Sequence, residues 1–138
     1  MPHPISHFAR WLLIVPLGIA GGWAGIIAAI ALHGISTRLC PSELLISGMC
    51  TAWWFRYAEL MSFCLGAAFG AVLVVALPSL AAPRFHKRVA IVAFGAGVIY
   101  ASYFLLRAGV SVLVPFAFAV VAGLLVVWCI HVRLRSEP

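Results

Sequence analysis

Long apolar stretches separated by short polar segments dominate this chain. Four of them cover residues 11–32, 56–77, 89–106 and 109–130. Each is close to the roughly 20 apolar residues that an α-helix needs to cross a bilayer. Apolar positions surround each predicted helix, whereas a helix of a soluble domain carries them in one stripe. The pattern predicts an all-α, polytopic integral membrane protein, in which residues 1–138 form a single domain of four transmembrane helices in an antiparallel bundle.

Two other interpretations of the apolar stretches fit less well. A membrane β-barrel would show segments of about ten residues with alternating polarity, and no such alternation is present. Arg10 followed by an apolar run could also mark a cleaved signal peptide. The run over residues 11–32 is longer than the roughly 7 to 15 residues of a signal-peptide core, so we expect it to remain as the first span.

The basic residues predict the orientation of these spans. Hydrophobic residues make up 65% of the chain and charged residues 9%, and nine Lys and Arg outnumber three Asp and Glu. Cytoplasmic loops carry an excess of Lys and Arg. One side holds Arg10, Arg84, Lys87, Arg88, Arg133 and Arg135, and the other holds Arg38, Arg56 and Arg107. We therefore expect a multi-pass protein of the cell inner membrane with its N-terminus and C-terminus in the cytoplasm.

The basic inner loop is the segment that contains Arg84, Lys87 and Arg88. Each charge near an anionic membrane surface contributes about 1 kcal/mol of attraction, so membrane lipids are expected partners, although the orientation rule alone accounts for these residues. Basic residues throughout the chain flank apolar spans and form no stripe with interleaved aromatic residues. No nucleic-acid partner is therefore expected.

The longest predicted connection, the outer loop over residues 33–55, contains Cys40 and Cys50. An oxidising compartment would permit a disulfide between them, and the Cys-x9-Cys spacing favours a structural bridge over the Cys-x-x-Cys pattern of thiol redox motifs. Redox use remains an alternative. A zinc site is less favoured, because it needs about four ligands and His33 is the one additional candidate nearby. Within the loop, Leu44–Ser47 is expected to form a helical turn that ends at Gly48.

Polar side chains are predicted to cluster near the outer ends of the spans. Glu59 is the one acidic residue near a span, and ionisable groups in a membrane are often functional. A structural role is favoured, because Arg56 precedes it by three positions on the same helical face and Arg107 lies at the same end of the bundle. With His33, these residues form the predicted polar outer cluster, a shallow pocket suited to a lipid headgroup or a partner segment.

Small residues recur at four-residue spacing in every span, which lets helix backbones approach closely in lipid. We expect these faces to pack within the bundle, and one or two of them could instead bind a partner subunit. The first span carries two overlapping Gly pairs and is expected to form the tightest interface. The predicted packing glycines are Gly18, Gly21, Gly22, Gly25, Gly66, Gly70, Gly97 and Gly123.

The functional hypothesis is a small non-enzymatic integral membrane protein that serves as an accessory, assembly or structural subunit of a larger inner-membrane complex. Its expected partners are other integral membrane subunits or further copies of itself. No cofactor is expected, and the His residues lie at the termini or helix ends, whereas a transmembrane haem needs axial ligands inside the bundle. Two alternatives remain open: a small oligomeric transporter or channel that uses Glu59, and a thiol-redox membrane protein that uses Cys40 and Cys50.

Overall fold

The computed structural model describes residues 4–46, 49–82 and 85–133, with side chains described from residue 11 onward. Within these residues, four helices are long and apolar enough to cross a membrane. They are α1 (Pro4–Arg38), α2 (Phe55–Ala81), α3 (His86–Ala108) and α4 (Leu113–Arg133). These findings support the predicted helical, multi-pass membrane protein.

The helices extend beyond the predicted spans, most clearly at the end of α1. The apolar run stops at residue 32, but α1 continues to Arg38. Ser36 Oγ donates a hydrogen bond to the Leu32 carbonyl, and Thr37 Oγ1 donates one to the His33 carbonyl. Because their hydroxyls bond back to the preceding turn, these two residues can continue the helix without exposing unpaired side-chain donors. The connection between α1 and α2 is therefore residues 39–54, shorter than the predicted 33–55.

Pro78 lies inside α2 and does not end it. The sequence suggests an interruption at this residue, because proline lacks the backbone donor that continues a helix. Instead α2 runs on to Ala81. Ser79 is buried, and its Oγ lies 2.7 Å from the Val75 carbonyl oxygen and 2.8 Å from that of Ala76. Pro78 has no backbone N–H, and the Ser79 hydroxyl supplies a hydrogen-bond donor in the same turn of the helix.

Gly109 joins α3 to α4 in a tight turn, as the short connection in the sequence predicts. Its φ of 78° lies in the region that glycine adopts without strain. Its backbone N–H donates a 2.9 Å hydrogen bond to the Leu105 carbonyl and so caps α3. A single 3₁₀ turn, Val110–Val112, then leads directly into α4. The two helices form an antiparallel hairpin.

The bundle is arranged around α2. This helix packs against each of the other three, whereas the extensive packing of α1 is with α2 alone. The contact between α1 and α2 runs antiparallel, from Gly18 beside Pro78 to Gly25 beside Gly70. Most of the buried residues described within the four helices lie in α2. The core is therefore centred on α2 and not on a common axis shared equally by the four helices.

Glycines make the closest approach between α1 and α2. A methyl group at Gly25 would lie 2.6 Å from Gly70 Cα, and one at Gly66 would lie 2.5 Å from the side chain of Ala29. A methyl group at Gly21 would lie 2.8 Å from the backbone of Leu73. These distances are shorter than non-bonded carbon contacts of about 3.5–4.0 Å. Only glycine fits at these positions while the helices keep this separation.

Three of the other predicted packing glycines, Gly18, Gly22 and Gly97, are in looser surroundings. Substituents at these three positions would meet side chains of α2 at ordinary contact distances of 3.7 to 3.9 Å. At Gly123 in α4, a methyl group would lie 2.8 Å from the ring of Phe94 in α3. Of the two overlapping pairs in α1, Gly21 with Gly25 therefore makes the close contact, and it does so within this chain.

Candidate functional site

Cys40 and Cys50 form a disulfide at the end of the bundle where α1 ends and α2 begins. The sulfur atoms are 2.04 Å apart and the Cα atoms 6.0 Å apart. The structure thus agrees with the predicted bridge. Among the described residues, no group of three or more His, Cys, Asp or Glu side chains is arranged to hold a metal ion.

The disulfide closes a short β-hairpin, where the sequence predicts a helical turn. A 3₁₀ turn covers Ser42–Leu44, and the strands β1 (Leu45–Ile46) and β2 (Met49–Cys50) then pair antiparallel. The prediction of a helical turn over Leu44–Ser47 is wrong at Leu45 and Ile46. The bridge places Cys50 next to the start of the loop, which favours a reversal of the chain over a continuing helix. Ser47 and Gly48 lie outside the described residues.

His33 of α1 lies between two aromatic rings of α2. Its ring centroid is 5.8 Å from that of Phe55, in an edge-on arrangement, and 6.5 Å from that of Phe63, in a nearly stacked one. The Nδ1 atom is buried and has no hydrogen-bond partner within the described part of the chain. A buried polar atom without a partner is costly and calls for an explanation. The sequence did not indicate that either phenylalanine would contact His33.

Glu59 occupies the α2 face that His33 contacts. Phe55, Glu59 and Phe63 are spaced four residues apart, which places them along one side of a helix, and both flanking rings contact His33. The Glu59 side chain is half-buried. No ion pair or hydrogen bond joins it to His33, Arg56 or Arg107 among the described residues. The structure therefore brings Glu59 and His33 to the same helix interface without forming the ion pair favoured from the sequence.

The two arginines of the predicted polar outer cluster are not part of this interface. Arg56 is exposed at the start of α2. Arg107 is exposed at the end of α3, where its guanidinium lies 5.4 Å from the ring centroid of Tyr103, one turn earlier in the same helix. The predicted four-residue pocket is therefore reduced to His33 and Glu59, which lie between α1 and α2.

An open apolar groove between α2 and α4 is the second notable feature. It has a volume of about 320 Å³ and lies towards the end of the bundle that carries the basic inner loop. Small side chains at Ala76 and Ala122 contribute to its lining. Its complete lining is Val72, Ala76, Ser79, Leu80, Ala122, Leu125, Val126, Cys129 and Ile130. No signal in the sequence indicates this groove, because it depends on the parallel packing of two helices that are not neighbours in the chain.

The described part of the basic inner loop, at the start of α3, is joined to the end of α2. Arg84 lies outside the described residues. The His86 Nδ1–H donates a 2.6 Å hydrogen bond to the Ser79 carbonyl, and so joins the start of α3 to the last turn of α2. The Arg88 guanidinium lies 5.2 Å from the ring centroid of Phe85, while Lys87 is half-buried. Arg88 is exposed, so its charge stays at the surface.

Comparison of the chain with protein-family models, with curated proteins and with solved structures finds no match. What this protein does must therefore be inferred from its own residues.

Proposed function

We propose that the chain is a small non-enzymatic integral membrane protein that serves as an accessory subunit of a larger inner-membrane complex. In this proposal α1, α2 and the α3–α4 hairpin form a scaffold held together by close helix contacts. One apolar surface of the scaffold then binds a transmembrane helix of another subunit. The groove between α2 and α4 is the surface that we assign to this role.

The observation that carries the proposal is the open apolar groove between α2 and α4. Helices in lipid associate largely through van der Waals packing. The small side chains of Ala76 and Ala122, with Leu80 and Ile130 also in the lining, provide a depression that side chains of another helix could fill. The described residues of α3 and α4 include one buried residue each, Ala90 and Gly123. Much helix surface on this side of the bundle is thus left available to a partner.

The disulfide and the basic residues support one orientation for this scaffold. Disulfides persist in oxidising compartments such as the bacterial periplasm, which favours a periplasmic position for the Cys40–Cys50 bridge. The excess of Lys and Arg on the opposite side favours a cytoplasmic position for the basic inner loop. Under this orientation the groove lies in the cytoplasmic half of the membrane. The disulfide-closed β-hairpin lies at the periplasmic surface.

Purification from native membranes in a mild detergent tests the proposal. We expect the native chain to co-purify with another integral membrane protein. Ala122→Phe, which fills the groove, should reduce this recovery several-fold. Ala117→Phe is the matched control, because Ala117 is exposed in the same helix and does not line the groove. Migration of the native chain as a lone monomer, with no co-purifying protein, would contradict the proposal.

A second candidate function is proton-coupled transport by an oligomer of this chain. Glu59 and His33, whose Nδ1 has no partner among the described residues, favour it, because titratable groups inside membranes often mark ion pathways and these two share one helix interface. In liposomes, Glu59→Gln should abolish proton-coupled flux. Arg56→Gln, a change at the exposed neighbour, should leave that flux unchanged. Unchanged flux in Glu59→Gln, or no flux in the native chain, would remove this candidate.

A further inference from the structure

The disulfide-closed hairpin presents apolar side chains to its surroundings. Its strands contain two residues each, and an isolated hairpin is marginally stable even when longer. The bridge between Cys40 and Cys50 holds it in place. Thr51 adds two hydrogen bonds of 2.9 Å, from its backbone N–H and its Oγ1, to the Leu44 carbonyl. Because it is held in this way, the hairpin presents its side chains in fixed directions.

The two faces of the hairpin differ in burial. Leu45 is paired with Cys50, which is buried, while Ile46 is paired with Met49. Paired residues project to the same face of a hairpin, and successive residues project to opposite faces. Ile46 is 62% exposed and Met49 is 72% exposed. The face that carries Ile46 and Met49 is therefore turned away from the helices.

Charge is absent from this part of the sequence. No Asp, Glu, Lys or Arg occurs between Glu43 and Arg56. Trp53 follows the hairpin and is 83% exposed. Tryptophan is enriched where a membrane protein passes through the headgroup region of the bilayer. A loop that extended into water would leave all three apolar side chains in contact with it, which is unfavourable.

The position and size of the hairpin match the headgroup layer. It follows the end of one span at Arg38 and precedes the start of the next at Phe55, so it begins and ends at the same membrane surface. A strand of two residues is about 7 Å long. The polar layer on each side of the hydrocarbon core is about 5–8 Å thick. The strands of the hairpin are therefore no longer than the headgroup layer is thick.

We propose that this hairpin is an interfacial membrane anchor: the face formed by Ile46 and Met49, together with Trp53, is inserted among the phospholipid headgroups next to α1 and α2. The bilayer is the occupant of this surface, in preference to a soluble protein. Inserting these side chains would fix the outer ends of α1 and α2 at a defined depth. This assignment does not depend on the partner proposed for the α2–α4 groove.

Fluorescence quenching in phosphatidylcholine nanodiscs tests the anchor, because both membrane faces are then open to solutes. A small fluorescent amino acid replaces Ile46 in the full-length chain, and in a second variant it replaces Met49. The matched control carries the same probe at Glu43, an exposed charged position in the same loop. Quenching by aqueous iodide is compared with quenching by phosphatidylcholine brominated on the acyl carbons closest to the glycerol.

We expect iodide to quench the probes at Ile46 and Met49 several-fold less than the probe at Glu43, and the brominated lipid to quench them several-fold more. Equal iodide quenching at all three positions would overturn the anchor. Protection from both quenchers would also overturn it, because it would show that protein covers the hairpin. The probes at Ile46 and Met49 should give the same quenching pattern. Such agreement would show that the result does not come from misfolding caused by the probe at one of the two positions.

Discussion

Gly25 of α1 and Gly70 of α2 lie so close together that a methyl group at Gly25 would approach Gly70 Cα to 2.6 Å. This contact joins α1 to the rest of the bundle through the one helix that it packs against extensively. Lipid offers helices little hydrophobic reason to associate, so backbone proximity of this kind supplies much of the attraction. The integrity of the bundle should therefore depend strongly on this pair.

Gly25→Ala should destabilise the protein by about 1–3 kcal/mol, the usual cost of overfilling a packed interface. Gly34→Ala in the same helix is the matched control, because a substituent there meets nothing within 4 Å. Alanine favours a helix over glycine by about 1 kcal/mol, so this control should be neutral or slightly stabilised. Unfolding in detergent measures both variants. Equal stability of the two would contradict the close contact described for Gly25.

Gly123→Ala should destabilise the contact between α3 and α4 less than Gly25→Ala destabilises that between α1 and α2. The added methyl group would lie 2.8 Å from ring atoms of Phe94, and a side chain can shift more easily than a backbone. Phe94→Leu should recover part of the loss. A double-mutant cycle measures this coupling, which is typically 0.5–3 kcal/mol for contacting residues. Simple additivity of the two changes would show that they do not interact.

The Cys40–Cys50 bridge should be permanently oxidised in cells. Alkylation of thiols before and after reduction should show two additional reactive thiols only after reduction. In the variant with both cysteines changed to serine, amides of residues 44–46 and 49–51 should exchange faster with deuterium, because a bridge of this size stabilises a fold by about 2–4 kcal/mol. Cys129→Ser serves as the control. A pair that cycles between oxidised and reduced forms would instead favour the thiol-redox alternative.

His33→Leu should raise the stability of the bundle. The buried Nδ1 has no partner within the described residues, and an unsatisfied buried polar atom costs about 1–3 kcal/mol. Leucine would keep the contacts with Phe55 and Phe63 without this atom. Thermal unfolding compares it with the native chain. A lower unfolding midpoint would contradict the cost assigned to the buried nitrogen.

The apolar pattern was enough to predict the helical class and the four long apolar helices, and the spacing of the two loop cysteines predicted the disulfide. Helix ends were less predictable, because Ser36 and Thr37 extend α1 through hydrogen bonds to carbonyls of the preceding turn. In the sequence, a polar pair that follows an apolar run can equally mark the end of a helix. The pattern therefore did not indicate that α1 continues through these two residues. The strands of the hairpin were missed for a similar reason, since Leu45 and Ile46 are also compatible with a helical turn.

The composition of the candidate site was harder to predict than the fold. Sequence spacing placed Arg56 and Glu59 on one helical face, but it could not show that Arg56 stays exposed while Glu59 is half-buried. The aromatic contacts of His33 and the groove between α2 and α4 depend on which helices become neighbours. Which helices become neighbours depends on the contacts among all four of them. A pattern within one stretch of the sequence carries no information about these contacts.

Photo-crosslinking from the groove tests the proposed subunit role most directly. A photoreactive phenylalanine analogue replaces Leu125, which lines the groove, and in the control it replaces Leu124, which is exposed on the same helix outside it. After irradiation of native membranes, we expect Leu125 to form one discrete crosslink to another integral membrane protein, and Leu124 to form none. Crosslinks from both positions to lipid alone would contradict the account.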